Sequence, residues 1–212
     1  MIIFEIRECS NAACRLRFPM DPSQYSGAYC PRCGEPMEKV YGSFANQDCT
    51  SENVAPKRKI VALLDNIRSA YNVGAMFRTA DGAGLQHLFL CGVTPTPDEQ
   101  GSLQKTALGA EATLPWSYHP NALHLVEELK KAGNLIVGLE CAPNATSIFD
   151  SGAFPTTRQP LVLVIGNERA GIDPAVLDRC DLIRALPMAG KKASLNAAVA
   201  FGIAAYWLAF GC

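Results

Sequence analysis

A chain of 212 residues has room for one full α/β domain and a small appendage. Apolar residues make up 49% of it and charged residues 18%, which excludes a disordered polymer. The formal net charge of −1 excludes a global attraction to polyanions, so any phosphate-binding surface has to be a local cluster of basic side chains.

The N-terminal segment reaches Glu5 and Arg7 too soon to form the apolar core of a signal peptide, so a cytoplasmic protein is expected. Cys9 and Cys14, then Cys30 and Cys33, form two knuckles separated by fifteen residues, the spacing of a four-thiolate zinc ribbon. Gly34 follows the second knuckle and supplies a tight turn that lets backbone amides face the thiolates. Two disulfides are the alternative for the same four residues, but nothing in the chain suggests export. Cys49, Cys91, Cys141, Cys180 and Cys212 are scattered and read as reduced thiols. Four thiolates leave no open coordination position, so the metal would be structural. A forty-residue segment needs such a staple, because it buries too little core to fold alone. These features predict a ribbon over 1–40, a linker over 41–58 that is polar and ends in Pro56, Lys57 and Arg58, and a main domain over 59–212.

In the main domain, strands are predicted near 60–64, 86–91, 135–139, 161–165 and 182–186, and helices over 73–83, 121–132, 174–179 and 194–210. Asp173 before Pro174 is a helix cap followed by the preferred first-turn proline. Alternating strands and helices predict an α/β fold, with a mostly parallel sheet covered by helices on both faces. The last helix is apolar almost throughout, but Asn196 near its start and its many Ala and Gly residues favour burial in protein over a membrane span. Its small residues also suit close packing on a second subunit.

Three polar segments follow apolar runs. Asn72-Val73-Gly74-Ala75-Met76-Phe77-Arg78-Thr79-Ala80-Asp81 opens a helix after the first strand, with Asn72 and Arg78 expected near one mouth. Gly166-Asn167-Glu168-Arg169-Ala170-Gly171 follows a β-branched run, as a buried parallel strand opens into a ligand-facing loop. Leu186-Pro187-Met188 leads through Gly190, Lys191 and Lys192 to Ser194-Leu195-Asn196, with Ser194 the expected helix cap. In a parallel sheet all three project from one end. In this order they resemble the three motifs of the SpoU/TrmH branch of the SPOUT RNA 2′-O-ribose methyltransferases, from about residue 59 onward. The segment from Lys105 through Gly109 and Ala110 to Glu111 also resembles the family. Three ordered motifs are far more specific than one glycine loop.

The resemblance implies a C-terminal deep trefoil knot, an exception to the rule that chains avoid threading. It further implies S-adenosylmethionine as cofactor, a homodimer, and transfer of a methyl group to a ribose 2′-hydroxyl of tRNA or rRNA. By resemblance, Gly166, Leu186, Leu195 and Leu139 hold the cofactor, mainly through main chain. The leucine side chains are equally suited to core packing, whereas a backbone that approaches a ligand closely tolerates no Cβ at Gly166. Arg78 is the first catalytic candidate. A guanidinium stays protonated and has no acceptor, so binding a substrate phosphate and easing alkoxide formation suits it better than acting as a base. Asn72 is expected to orient Arg78 or the ribose, or to cap its helix. Glu168 is expected to accept a hydrogen bond from Asn72 or Arg78, or to take a proton. Ser194 is a candidate for holding the flanking phosphate, and Asn196 for positioning the loop before it; for both, helix initiation is the plain alternative. Local basic clusters for RNA are Arg15, Arg17 and Arg32, then Lys57, Arg58 and Lys59, then Arg68, Arg78, Arg169, Lys191 and Lys192. His87, His119 and His124 lie outside the motifs.

Two other readings compete. A non-catalytic zinc-ribbon RNA-binding or assembly factor on a methyltransferase-like domain is disfavoured by the joint presence of Asn72, Arg78, Glu168, Ser194 and Asn196. A nucleotide oxidoreductase fails because no Gly-x-Gly-x-x-Gly follows the first strand.

Overall fold

The computed structural model describes residues 3–45, 54–99, 101–150, 152, 154 and 159–211, and the chain divides into two compact units, Met1–Val54 and Ala55–Cys212. Cys49 and Cys212 lie outside the described residues.

The first unit is an antiparallel sheet of β1 (Ile3–Cys9), β2 (Arg17–Met20) and β3 (Met37–Ala45), in the order β2-β1-β3. Among the described residues its buried apolar cluster is Cys9, Cys30 and Met37, with Cys14, Leu16 and Phe18 packed against them, and Met20 is buried apart from it. Glu5 is buried between strands, where Arg7 Nε donates to Oε1 at 2.6 Å and Lys39 Nζ lies 2.9 Å from Oε2. The strand β3 runs past residue 40, the expected end of the ribbon, because Phe44 pairs with Phe4 and Ala45 with Ile3 across the ladder. The expected linker over 41–58 is also shorter at its other end. Residues 55–58 belong to the second unit, and there Lys57 N donates to Ala209 O at 2.9 Å.

The second unit contains β4 (Ile60–Asp65), α1 (Ala70–Gly82), β5 (Leu88–Cys91), α2 (Gly101–Ala107), α3 (Ala110–Thr113), β6 (Trp116–His119), α4 (Ala122–Lys131), β7 (Leu135–Leu139), β8 (Thr146–Ser147), β9 (Leu161–Ile165), α5 (Pro174–Leu177), β10 (Leu182–Ala185) and α6 (Ala197–Tyr206). The seven strands lie in the order β6-β5-β4-β9-β7-β10-β8, and every neighbouring pair is parallel. Alternate side chains of the central strands enter different cores, as the two-residue period of a strand requires. Ala62 and Leu64 of β4 join Val73, Phe77, Phe201 and Leu208 on one face, while Leu63 joins Val126 of α4 and Val176 of α5 on the other. Helices therefore cover both faces.

The helix boundaries differ from expectation at two places that matter for function. Helix α1 begins at Ala70, because Ser69 caps it and its side chain accepts from Asn72 N. Helix α6 begins at Ala197 and not at Ser194. Asn196 is its cap, accepting from Ala198 N and Val199 N, and a π-helical turn, Trp207–Gly211, replaces the expected last turn. Among the described residues no helix is long and apolar enough to cross a membrane. Near the open end of β4, the buried Thr94 hydroxyl accepts from Ile67 N at 3.1 Å and lies 2.7 Å from Cys91 O, fixing the path into α1.

Candidate functional site

The ends of β7, β9 and β10 open into a cleft of about 270 Å³, at the small end of ligand-sized pockets. Its wall comes from residues 139–141, from the loop that follows β9, and from the segment entering α6. Leu139, Gly166, Leu186 and Leu195, the four expected cofactor contacts, all line it, as do Glu168, Ser194 and Asn196. Apolar Leu139, Leu186, Met188 and Leu195 share this lining with Glu140, Asn167, Glu168, Ser194 and Asn196, a mixed surface suited to a flat heterocycle with a polar edge.

The loop after β9 is folded back on itself. Asn167 N donates to Gly171 O and Gly171 N to Asn167 O, both at 2.9 Å. A Cβ on Gly166 would stand 2.1 Å from Ile172 N and 2.2 Å from Gly171 C, so the crossing admits only glycine. Asn167 organises the rest: its Oδ1 accepts from Arg169 N and Ala170 N, and its Nδ2 donates to Asn66 O at 2.6 Å.

Glu168 is the junction of the site. Its Oε2 accepts from Arg68 N at 3.0 Å, and its Oε1 accepts from Ser69 N at 3.1 Å and from Asn72 Nδ2 at 2.9 Å. Asn196 Nδ2 in turn donates to Asn72 Oδ1 at 3.2 Å. Side chains from all three motifs are thus bonded in one line. Desolvation works to raise the Glu168 pKa, but the bonds from Arg68 N, Asn72 and Ser69 N outweigh it and hold the carboxyl below its usual range. A group with a depressed folded-state pKa contributes its stability above the ordinary carboxylate range and loses it as the pH falls through the lowered value.

Two expectations are corrected here. Asn72 is no helix cap; it lies inside α1 and bonds Glu168 and Asn196, not Arg78. Arg78 does not join the mouth. Six residues along a helix of 3.6 residues per turn turn it by about 120° away from Asn72. It is exposed, lines no part of the cleft, and makes no hydrogen bond or ion pair among the described residues. Ser194 is exposed at the cleft wall.

Sequence reasoning missed Asp65 and Asn66. Asp65 is buried, and its Oδ2 accepts from Asp173 N at 2.8 Å, tying the end of β4 to the cap of α5. Burial raises its pKa against that bond and one from Asn66. Asn66 adopts a left-handed φ of 56°, and its Oδ1 accepts from Val93 N. The signal was the Asp-Asn pair at a strand end, since asparagine tolerates this conformation.

In the first unit the sulfur atoms of Cys9, Cys14, Cys30 and Cys33 all lie within 4.8 Å of one another. Cys9 and Cys33 are 3.4 Å apart and Cys14 and Cys30 3.8 Å. These separations are too long for disulfides, and they lie around the edge of about 3.8 Å that a tetrahedron with metal–sulfur bonds near 2.3 Å would have.

The family model described as SpoU rRNA Methylase matches residues 59–206. The chain belongs to this family. It is 33% identical over 159 residues to the 23S rRNA (guanosine(2553)-2'-O)-methyltransferase RlmP of Bacillus subtilis (strain 168), covering 74% of this chain and 60% of that protein. It is 33% identical over 147 residues to the 23S rRNA (guanosine-2'-O-)-methyltransferase RlmB of Nitrosomonas europaea, covering 68% and 53%. Among solved structures, the AdoMet-bound rRNA methyltransferase of Sinorhizobium meliloti superposes with a TM-score of 0.63 at 26% identity, covering 73% of this chain and 57% of that one. The chain spans little more than half the length of the curated SpoU relatives it matches.

Gly166→Ala is expected to open the folded-back loop and abolish cofactor-sized ligand binding in the cleft, with a loss of stability of about 1–3 kcal/mol. Titration calorimetry and thermal unfolding read both effects; wild-type values for the variant contradict this account of the crossing.

Proposed function

We propose that the chain is an S-adenosylmethionine-dependent RNA methyltransferase that transfers a methyl group to a ribose 2′-hydroxyl of tRNA or rRNA. The observation that carries this reading is the bonded line Asn196–Asn72–Glu168 beside a cleft of mixed polar and apolar lining with a glycine crossing, in a chain of the SpoU family. The names of its relatives, which specify 2'-O-methylation of guanosine in 23S rRNA, support the same chemistry. Leu139, Gly166, Leu186 and Leu195 would hold the cofactor, which supplies an electrophilic methyl group. The protein then has to align the hydroxyl and favour its deprotonation. Arg78, exposed outside the cleft and without a partner among the described residues, is suited to a substrate phosphate, where its fixed charge would help to orient the RNA so that the hydroxyl enters the cleft. Ser194 at the cleft wall holds the flanking phosphate, and Asn72 and Asn196 keep the wall in register.

We further propose a knotted C-terminal segment, a homodimer and a structural zinc. The knot is supported by β9 inserting between β4 and β7 while β10 continues beyond β7. The dimer is supported by Val199, Ile203 and Tyr206, which leave an apolar stripe on α6 exposed at helical spacing. The zinc is supported by the four-sulfur cluster and by the very small core of the unit that holds it. Free thiols at Cys91, Cys141 and Cys180 accord with a reducing, cytoplasmic setting.

Incubation with methyl-labelled cofactor and total RNA, followed by digestion to nucleosides, is expected to yield label in 2′-O-methylated nucleosides. Cofactor binding without transfer points to a missing partner or substrate, and no cofactor binding favours the non-catalytic RNA-binding reading. Arg78→Ala is expected to lower turnover by about 100-fold or more while leaving cofactor affinity intact; equal loss of both contradicts the role given to Arg78. Purified protein is expected to carry one zinc ion per chain, and chelation to unfold the first unit and weaken RNA binding without changing cofactor affinity. Metal-free protein with a folded first unit rules the zinc out.

A further inference from the structure

Glu140 stands one residue beyond β7, at a point where three cleft-forming segments meet. Its backbone N donates to Arg184 O of β10 at 2.9 Å. Its Oε1 accepts from Cys141 N at 2.9 Å, and its Oε2 accepts from Ile172 N at 2.9 Å, just past the folded-back loop. The carboxylate also covers Gly171, whose φ is +77° and on which a Cβ would lie 2.5 Å from Oε2. Both carboxylate oxygens are therefore committed to backbone amides, one on each of two opposing walls, and the residue itself is half-buried at the cleft. None of the three sequence motifs contains it.

We propose that Glu140 is a positioning residue for the cofactor: it sets the spacing between the 139–141 wall and the 166–171 loop, and so the width of the slot that grips the ligand. This rests on the cofactor reading above. Glu140 acts through the two backbone amides it holds, one on each oxygen. A glutamine in its place offers one acceptor oxygen and turns an NH2 group toward the other amide, so one wall is released. An aspartate keeps the charge but retracts it by one methylene and cannot bridge both walls.

The test compares the full-length wild type with Glu140→Gln and Glu140→Asp by calorimetric titration with S-adenosylmethionine, steady-state kinetics and thermal unfolding. The expected result is a rise of about 10-fold or more in both Kd and KM for the cofactor, with KM for RNA unchanged and kcat at saturating cofactor within about twofold of wild type. Should one variant not fold, the other reads the same split. A fall in melting temperature and active fraction with unchanged cofactor Kd and KM overturns the proposal, leaving Glu140 a merely structural tie. A wild type that binds no S-adenosylmethionine is a different result: it overturns the functional reading, and this proposal with it, before any variant is compared.

Discussion

The site depends on one carboxylate. Glu168 lies 96 residues from Asn72 in the chain, yet its two oxygens accept from Asn72 Nδ2 and from the backbone amides of Arg68 and Ser69. Those amides stand at the approach to α1, where a helix leaves donors without partners and favours negative charge. The loop after β9 is thereby pinned to the start of α1, and Asn196 extends the tie to the start of α6. Without it, the loop after β9 would lose its bonds to Arg68 N, Ser69 N and Asn72, and the line from there to Asn196 would be broken. With it, the segments that wall the cleft keep one register, and the cleft has a fixed shape to offer a ligand.

The rest of the fold supplies the rigid frame this tie needs. Strands β4, β7 and β9 are buried on both faces, so the loops leave from fixed points. Asp65, Asn66, Asn167 and Thr94 then tie the strand ends to the loops beside them. The first unit is built on the opposite principle. Three buried residues form its apolar cluster, and four sulfur atoms sit at metal-ligand spacing among them. A core so small leaves little to offset chain entropy, and the proposed zinc would couple metal binding to folding there.

Much of this was legible in the residues. The runs 135–139 and 161–165 read as central strands because burial on both faces leaves no polar alternation, and both were found at those bounds. The edge strands β6 and β8 were not legible: they are short and partly exposed, so no apolar pattern marks them. Two capping residues compete at the entry to α6. Sequence alone favours Ser194, but Asn196 wins because its carbonyl oxygen takes two amides while its NH2 reaches Asn72, a partner 124 residues away. The same blindness to distance hid Glu140, which looks like any acidic residue after a strand. Arg78 shows the converse. The motif places it near one mouth with Asn72, but helical phase turns it onto another surface, outside the cleft.

The central claim is that the segments act as one bonded unit, and a double-mutant cycle between Asn72→Ala and Glu168→Gln, read by denaturant unfolding, tests it most directly. Coupling of about 0.5–3 kcal/mol between the two substitutions is the predicted result. Effects that add within about 0.5 kcal/mol would mean that the two side chains are merely neighbours, and that something else holds the site together.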